Sequence, residues 1–190
     1  MTAADSVLEH LAARTDRPLI VAVDGHSAAG TSTLGRLLAD RLGVTLVQGD
    51  DFYREAPDGV RRAWNAAEGV DLFFDWQRLR REVLEPLKEG RTAAYQPYSW
   101  RPEGGLADET VELKATPIVI FEGVYAARPE YADLLGLTVF VETPAEERLR
   151  RLHERGHGND DWWPHWDAAE EHYYRHIRPQ ETFDLVVPGY

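Results

Sequence analysis

Gly25 and Gly30 enclose a short run that contains Ser27, Ala28 and Ala29, and Thr31, Ser32 and Thr33 follow at once. Glycines at that spacing let successive backbone N–H groups turn inward onto the oxygens of a phosphate. A helix that starts at Thr33 would add the positive end of its dipole. Ser32 stands where a hydroxyl would meet the magnesium ion that travels with a nucleotide's phosphates. In this pattern the position of Thr31 belongs to a lysine, and without it the β- and γ-phosphates lose their closest fixed positive charge. The segment therefore predicts phosphate binding by Gly25, Ser27, Ala28, Ala29, Gly30, Thr31, Ser32 and Thr33, with the transfer step short of one cation. A glycine-rich turn without a ligand is the plainer alternative. The apolar run before the loop and the helical period after it weigh against that.

Two acids stand at comparable places. Gly49-Asp50-Asp51-Phe52-Tyr53-Arg54 follows a short apolar run, and a carboxylate there faces the loop, able to take a proton from an attacking hydroxyl. The aromatics behind it suit a flat or sugar-like substrate. Glu122 ends the apolar run 118–121, a usual place for an acid that holds magnesium or its water. Each also reads as a solvated acid at an element's end.

Arg148, Arg150, Arg151 and Arg155 share one predicted helix, and arginine's planar fork grips phosphate oxygens while staying charged. Arg151 and Arg155, four apart, are expected to point one way together, and Gly156 and Gly158 would let the segment swing. Pairing with Glu146, Glu147 and Glu154 on a solvated face is the competing reading. His153-Glu154-Arg155-Gly156-His157 matches H-E-x-x-H, but its glycines break the helix that a zinc pair needs. His172 and His176 sit among Glu170, Glu171 and Arg175, which predicts a solvent-facing helix rather than a metal pair. Trp162, Trp163 and Trp166 divide evenly between packing and substrate contact.

The elements that must hold these residues follow from periodicity. Continuous apolar runs at 19–23, 44–47, 118–121, 137–141 and 185–187 read as strands buried on both faces. Helical spacing marks 6–14, 33–42, 72–89 (with a break at Pro86), 144–155 and 166–177. Such alternation means an α/β fold, a parallel sheet of about five strands with helices on both faces. Residues 95–114 interrupt it as an insertion at the carboxyl edge, where such sheets bind ligands.

Composition narrows the function classes. The 190 residues are 43% hydrophobic and 28% charged, which suits one domain over 1–190. A net charge of −12 disfavours polymeric nucleic acid and anionic membranes, though local amides and arginines can still hold a small phosphate ligand. Without cysteine there is neither a disulfide framework nor a thiolate metal site. The polar start and the short apolar runs predict a cytoplasmic enzyme. Only Lys88 and Lys114 are lysines, and neither falls near the loop in sequence.

Taken in order, residues 25–33, 49–54 and 121–125 resemble the uridine/cytidine kinase family and its relatives phosphoribulokinase and bacterial pantothenate kinase. That resemblance implies a P-loop NTPase fold, ATP and Mg2+, and a small nucleoside-like acceptor; a homo-oligomer is compatible with it. It implies Asp50 as general base, Tyr53 beside the nucleoside, and Ser32 with Glu122 at the metal. Tyr95-Gln96-Pro97-Tyr98-Ser99-Trp100 resembles the family's base-and-ribose segment, with Tyr98 and Trp100 at the substrate. Asp71 or Asp75 matches the acid that holds the ribose hydroxyls, Asp71 being preferred. Residues 148–165 resemble the lid of nucleoside and nucleotide kinases, with Arg151 and Arg155 on the transferring phosphate. Two departures stand out: Thr31 for the lysine, and no histidine after Trp100. The expected activity is phosphoryl transfer from ATP to a hydroxyl of a nucleoside or similar metabolite. The rival is a nucleotide-binding protein with little or no turnover, natural or engineered.

Overall fold

The computed structural model describes residues 2–101, 104–156 and 161–189. The chain opens with α1 (Ala3–Ala12), capped by Thr2 and Asp5 in a reciprocal box. It continues through β1 (Leu19–Asp24), α2 (Thr31–Leu42) and β2 (Thr45–Gln48). Three short helices follow, α3 (Asp58–Arg61), α4 (Ala66–Leu72) and α5 (Trp76–Leu79). A π-turn over Arg80–Leu84 leads into α6 (Glu85–Lys88). Then come β3 (Ala93–Tyr95), β4 (Val111–Leu113), β5 (Ile118–Glu122), β6 (Leu135–Glu142), α7 (Ala145–Arg155), α8 (Trp163–His172) and β7 (Leu185–Pro188).

Five strands form one parallel sheet in the order β2-β5-β1-β6-β7. Every residue of the central β1 is buried, which is why its sequence is apolar without alternation. Alternate side chains nevertheless go to opposite layers. Val21 and Val23 join Leu34 and Leu38 of α2 and Val7 and Leu11 of α1. Ile20 and Ala22 join Phe52, Leu84, Trp166 and Tyr173 on the other side. β3 and β4 pair antiparallel as a separate hairpin, so the expected insertion at 95–114 is anchored at both ends.

The helix expected over 72–89 divides differently. Phe73 and Phe74 are buried and continue an apolar pattern, but Asp75 interrupts the helix and caps α5 by accepting from the Arg78 amide at 3.2 Å. Pro86 follows directly on the π-turn at the start of α6, and the chain stays helical through it instead of breaking there. Ahead of α5, Ala66–Leu72 form α4, with Asn65 and Glu68 making a second capping box at its start.

Candidate active site

Register puts the chemistry on one line. Val23 of β1 and Gln48 of β2 both lie beside Glu122 of β5, so three strands end together. The loops that leave them, at Gly25, Gly49 and Gly123, converge at the carboxyl edge of the sheet. They border a cleft of about 930 Å³.

The glycine loop folds as its sequence demands. Gly30 caps α2 with φ 107° and supplies no side-chain hydrogen bond, leaving the first amides of the helix for an anion. A side chain at Gly25 would put its Cβ 2.8 Å from the Val141 carbonyl oxygen, so only glycine lets the loop pass β6. Ala28 adopts φ 61°, a left-handed conformation that costs an alanine on the order of 1–2 kcal/mol and marks a loop held for a purpose. Ser27, Ala28, Gly30, Thr31, Ser32 and Thr33 face the cleft, whereas Gly25 and Ala29 lie buried behind it. The donor set fits the phosphates and magnesium of a nucleotide: uncapped amides, with the Ser32 hydroxyl donating to Glu122 Oε2 at 3.0 Å. It does not supply the ammonium. Thr31 is almost fully buried at the mouth of the loop, and neither Lys88 nor Lys114 lines the cleft.

Asp50 and Asp51 are adjacent but differently placed. Asp50 opens onto the cleft, and the protein packed around its carboxyl displaces water and raises its pKa, aided by the neighbouring Asp51 and opposed by Arg155. Asp51 turns away and accepts from the Tyr95 hydroxyl at 2.6 Å. Burial lifts the Glu122 carboxyl to about 7, with the Asp50 charge adding to it. Tyr53, Tyr98 and Trp100 stand together at the opposite wall, with ring centroids 4.9 to 5.8 Å apart. Tyr53 also packs on Trp166, which lines the cleft with Trp162 and Trp163; these tryptophans pack and face the ligand space at once.

Two expected positions lie elsewhere. Asp71 is not on the cleft: its exposed side chain meets Arg128 at 3.3 Å, and Asp75 is the cap of α5. Arg151 and Arg155 do not point one way together. Arg155 reaches the cleft, whereas Arg151 pairs with Glu147 and donates to the Ala28 carbonyl at 3.1 Å, bracing the loop from outside. Arg150 pairs with Glu147 and Glu154 on the solvent side, as the competing reading had it. α7 ends at Arg155, which removes the continuous helix that a zinc pair needs; His157 and the Gly158 hinge lie outside the described residues. No group of three or more acids or histidines that could hold a metal occurs among the described residues. His172 and His176 pack against each other with ring centroids 5.0 Å apart and planes tilted by 54°.

Several residues at the site had no local signal. Arg61 and Arg62 bring positive charge to the cleft from α3 and the turn after it. Asp24, completely buried, accepts from the amides of Gly25, Tyr125 and Ala127 at 2.8 to 3.0 Å and from the Tyr174 hydroxyl at 2.7 Å. It thereby locks the glycine loop to the segment after Glu122, and burial holds it at about 6. The π-turn at Tyr173–Ile177 lets two consecutive tyrosines bury against that one carboxylate. Glu170 of α8 is equally buried, and burial lifts it to about 7 against hydrogen bonds from Ser27 and Trp166. The acidic run around it had read as solvent-facing, but its partner lies 143 positions away.

Residues 20–189 match the model of the phosphoribulokinase / uridine kinase family. Among curated proteins, a uridine kinase from Mycoplasma pneumoniae is 30% identical over 184 residues, which cover 90% of this chain and 84% of that protein. A uridine kinase from Halobacterium salinarum is 29% identical over 139 residues, with 71% of this chain and 61% of that protein covered. A phosphoribulokinase from a Synechocystis strain is 27% identical over 187 residues, and the match spans 90% of this chain but about half, 53%, of its own length. In three dimensions the chain superposes on a possible uridine kinase from Bacillus stearothermophilus with a TM-score of 0.74 at 21% identity, 97% and 96% of the two chains being covered. A D-glycerate 3-kinase from Cryptococcus neoformans gives 0.64 at 17% identity over 97% of this chain and 92% of that one. No helix among the described residues is long and apolar enough to cross a membrane.

Proposed function

Since the chain belongs to the phosphoribulokinase / uridine kinase family of P-loop kinases, we propose that it moves the γ-phosphoryl group of ATP to a hydroxyl of a nucleoside or similar small metabolite. The observation that carries this reading is Asp50, a carboxylate of raised proton affinity that opens onto the cleft shared by the glycine loop and the wall of Tyr53, Tyr98 and Trp100. The acceptor lies against the aromatic wall, and the amides from Ala28 to Thr33 hold the phosphates. As the acceptor oxygen attacks phosphorus, its proton passes to Asp50 and ADP departs with the electron pair of the broken bond. Ser32 and Glu122 would hold magnesium, which when bound draws charge from the phosphate oxygens. Arg155 faces the charge that moves toward the leaving oxygen.

A second reading keeps the binding and drops the turnover: a nucleotide-binding protein in which Thr31 leaves the transfer without its cation. Thr31 itself favours it. Calorimetry with Mg-ATP, followed by ADP release across a panel of nucleosides and small hydroxylated metabolites, separates the two. Binding with release stimulated by one acceptor supports the kinase, and binding with no stimulated release supports the second reading. Absence of binding by the folded protein contradicts both.

A further inference from the structure

Glu170 is, like Asp24, a fully buried acid at the site that the proposed transfer leaves unused. Its carboxylate meets Ser27 twice, accepting from the backbone N–H at 3.0 Å and from the hydroxyl. The same carboxylate accepts from the indole N–H of Trp166, which also lies 2.8 Å from the Ser27 hydroxyl. Trp166 stacks on Phe73 at 5.0 Å and packs on Tyr53 at 5.6 Å, so its ring is part of the acceptor wall. Arg148 of α7, itself buried, supplies compensating positive charge. Three donors from two distant segments thus end on one side chain that no solvent reaches.

We propose that Glu170 is a positioning residue that fixes the glycine loop to the aromatic wall, so that the donor and acceptor halves of the cleft keep one spacing. The chemistry explains why a carboxylate stands there. A buried acceptor with two oxygens can satisfy an amide, a hydroxyl and an indole together, whereas an amide side chain would turn a donor toward at least one of them. By holding the Ser27 N–H on the protein side, Glu170 makes the phosphate cradle begin at Ala28. The importance of that spacing rests on the proposed phosphoryl transfer; the tie itself does not, and it is measurable without nucleotide.

The test is amide hydrogen exchange of the nucleotide-free full-length protein, wild type against Glu170→Gln. Glutamine keeps the volume, so a role in packing alone predicts unchanged loop exchange. The proposal expects exchange at residues 25–33 to rise about tenfold, equal to about 1.4 kcal/mol of opening free energy, with β1 and β5 as protected as before. With a substrate pair in hand, the Michaelis constants for ATP and acceptor should rise together. Ser27→Ala and Trp166→Phe each remove one donor and leave the carboxylate, which keeps the test alive if Glu170→Gln does not fold. Each should raise loop exchange by a smaller factor, roughly threefold. Loop exchange within about twofold of wild type in the folded Glu170→Gln protein, or in both single-donor variants, overturns the proposal. Failure of the wild type to bind Mg-ATP would count against the kinase reading alone.

Discussion

Replacing Thr31 by lysine restores the one charge that the glycine loop lacks. Thr31 opens α2 and lines the cleft beside Ser32, so a lysine there would reach along the helix mouth toward the β- and γ-phosphates. An ammonium about 4 Å from a phosphate oxygen gains about 4 kcal/mol at an effective dielectric of about 20. Removal of one positioned donor from comparable sites costs about 2.7–4 kcal/mol, or roughly 10² to 10³ in rate. Two features reduce the gain. The position is nearly buried, so the ammonium must be desolvated, and Arg155 already brings positive charge to the cleft. We expect Thr31→Lys to raise phosphoryl transfer by at least about tenfold, or about 1.4 kcal/mol, with a smaller gain in nucleotide affinity. The assay is ADP release at saturating ATP with the acceptor, or the slow hydrolysis of ATP without one. If Thr31→Lys leaves both rates unchanged while Ser32→Ala abolishes them, the reasoning fails. Another cation then does the lysine's work, and Arg155→Ala, Arg61→Ala and Arg62→Ala in turn should identify it, since Arg151 is committed to loop carbonyls.

Asp50→Asn should lower turnover by about 10² or more while nucleotide affinity stays within about twofold. The same loss in Asp51→Asn but not in Asp50→Asn would reverse the assignment. Glu122, lifted to about 7, must lose its proton to bind magnesium. Magnesium affinity should therefore rise about tenfold per pH unit below 7 and level off above it, a dependence lost in Glu122→Gln. A flat profile from pH 6 to 8 in the wild type would remove Glu122 from the metal. Trp100, 69% exposed at the wall, should matter little to stability, yet Trp100→Ala should raise the acceptor Michaelis constant by roughly tenfold. An unchanged constant places the acceptor elsewhere. Asp24 is held at about 6 in the fold against 3.8 when free. Its contribution favours the fold most below about pH 4 and is lost as the pH rises toward 6, by at most about 3 kcal/mol. Urea unfolding of Asp24→Asn should show a shallower fall with pH over that window; an equal slope would mean that Asp24 is not the titrating group.

The sheet was legible because its central strand β1 is buried throughout and every strand of it keeps a core of consecutive apolar residues. Residues 19–23 could be little else, and the acids that follow β2 and β5 were placed by where those strands end. The glycine loop was legible because its backbone angles restrict its residues: Gly30 at φ 107° and the close pass of Gly25 against Val141 leave little choice. What escaped the sequence depends on partners far along the chain. Phe73 and Phe74 extend an apolar period across Asp75, so the break in the helix shows only once Asp75 is seen to cap α5. Glu170 sits in an acidic run that resembles a solvated face, and its burial follows from Ser27 rather than from any neighbour. Arg151 and Arg155 share a helical face by spacing, but the cleft edge falls between them. Asp71 showed the reverse: a plausible substrate acid by position in sequence, it turns to Arg128 outside the cleft.

The central question is whether phosphate leaves ATP for a hydroxyl held between Asp50 and the aromatic wall. The direct measurement follows γ-³²P from ATP onto members of a nucleoside and small-metabolite panel, with wild type, Thr31→Lys and Asp50→Asn side by side. Phosphoryl transfer at this site should put label on one acceptor class, faster with Thr31→Lys and suppressed by about 10² or more with Asp50→Asn. Label that stays on ATP or appears only as free phosphate, for every acceptor and even with Thr31→Lys, would contradict it.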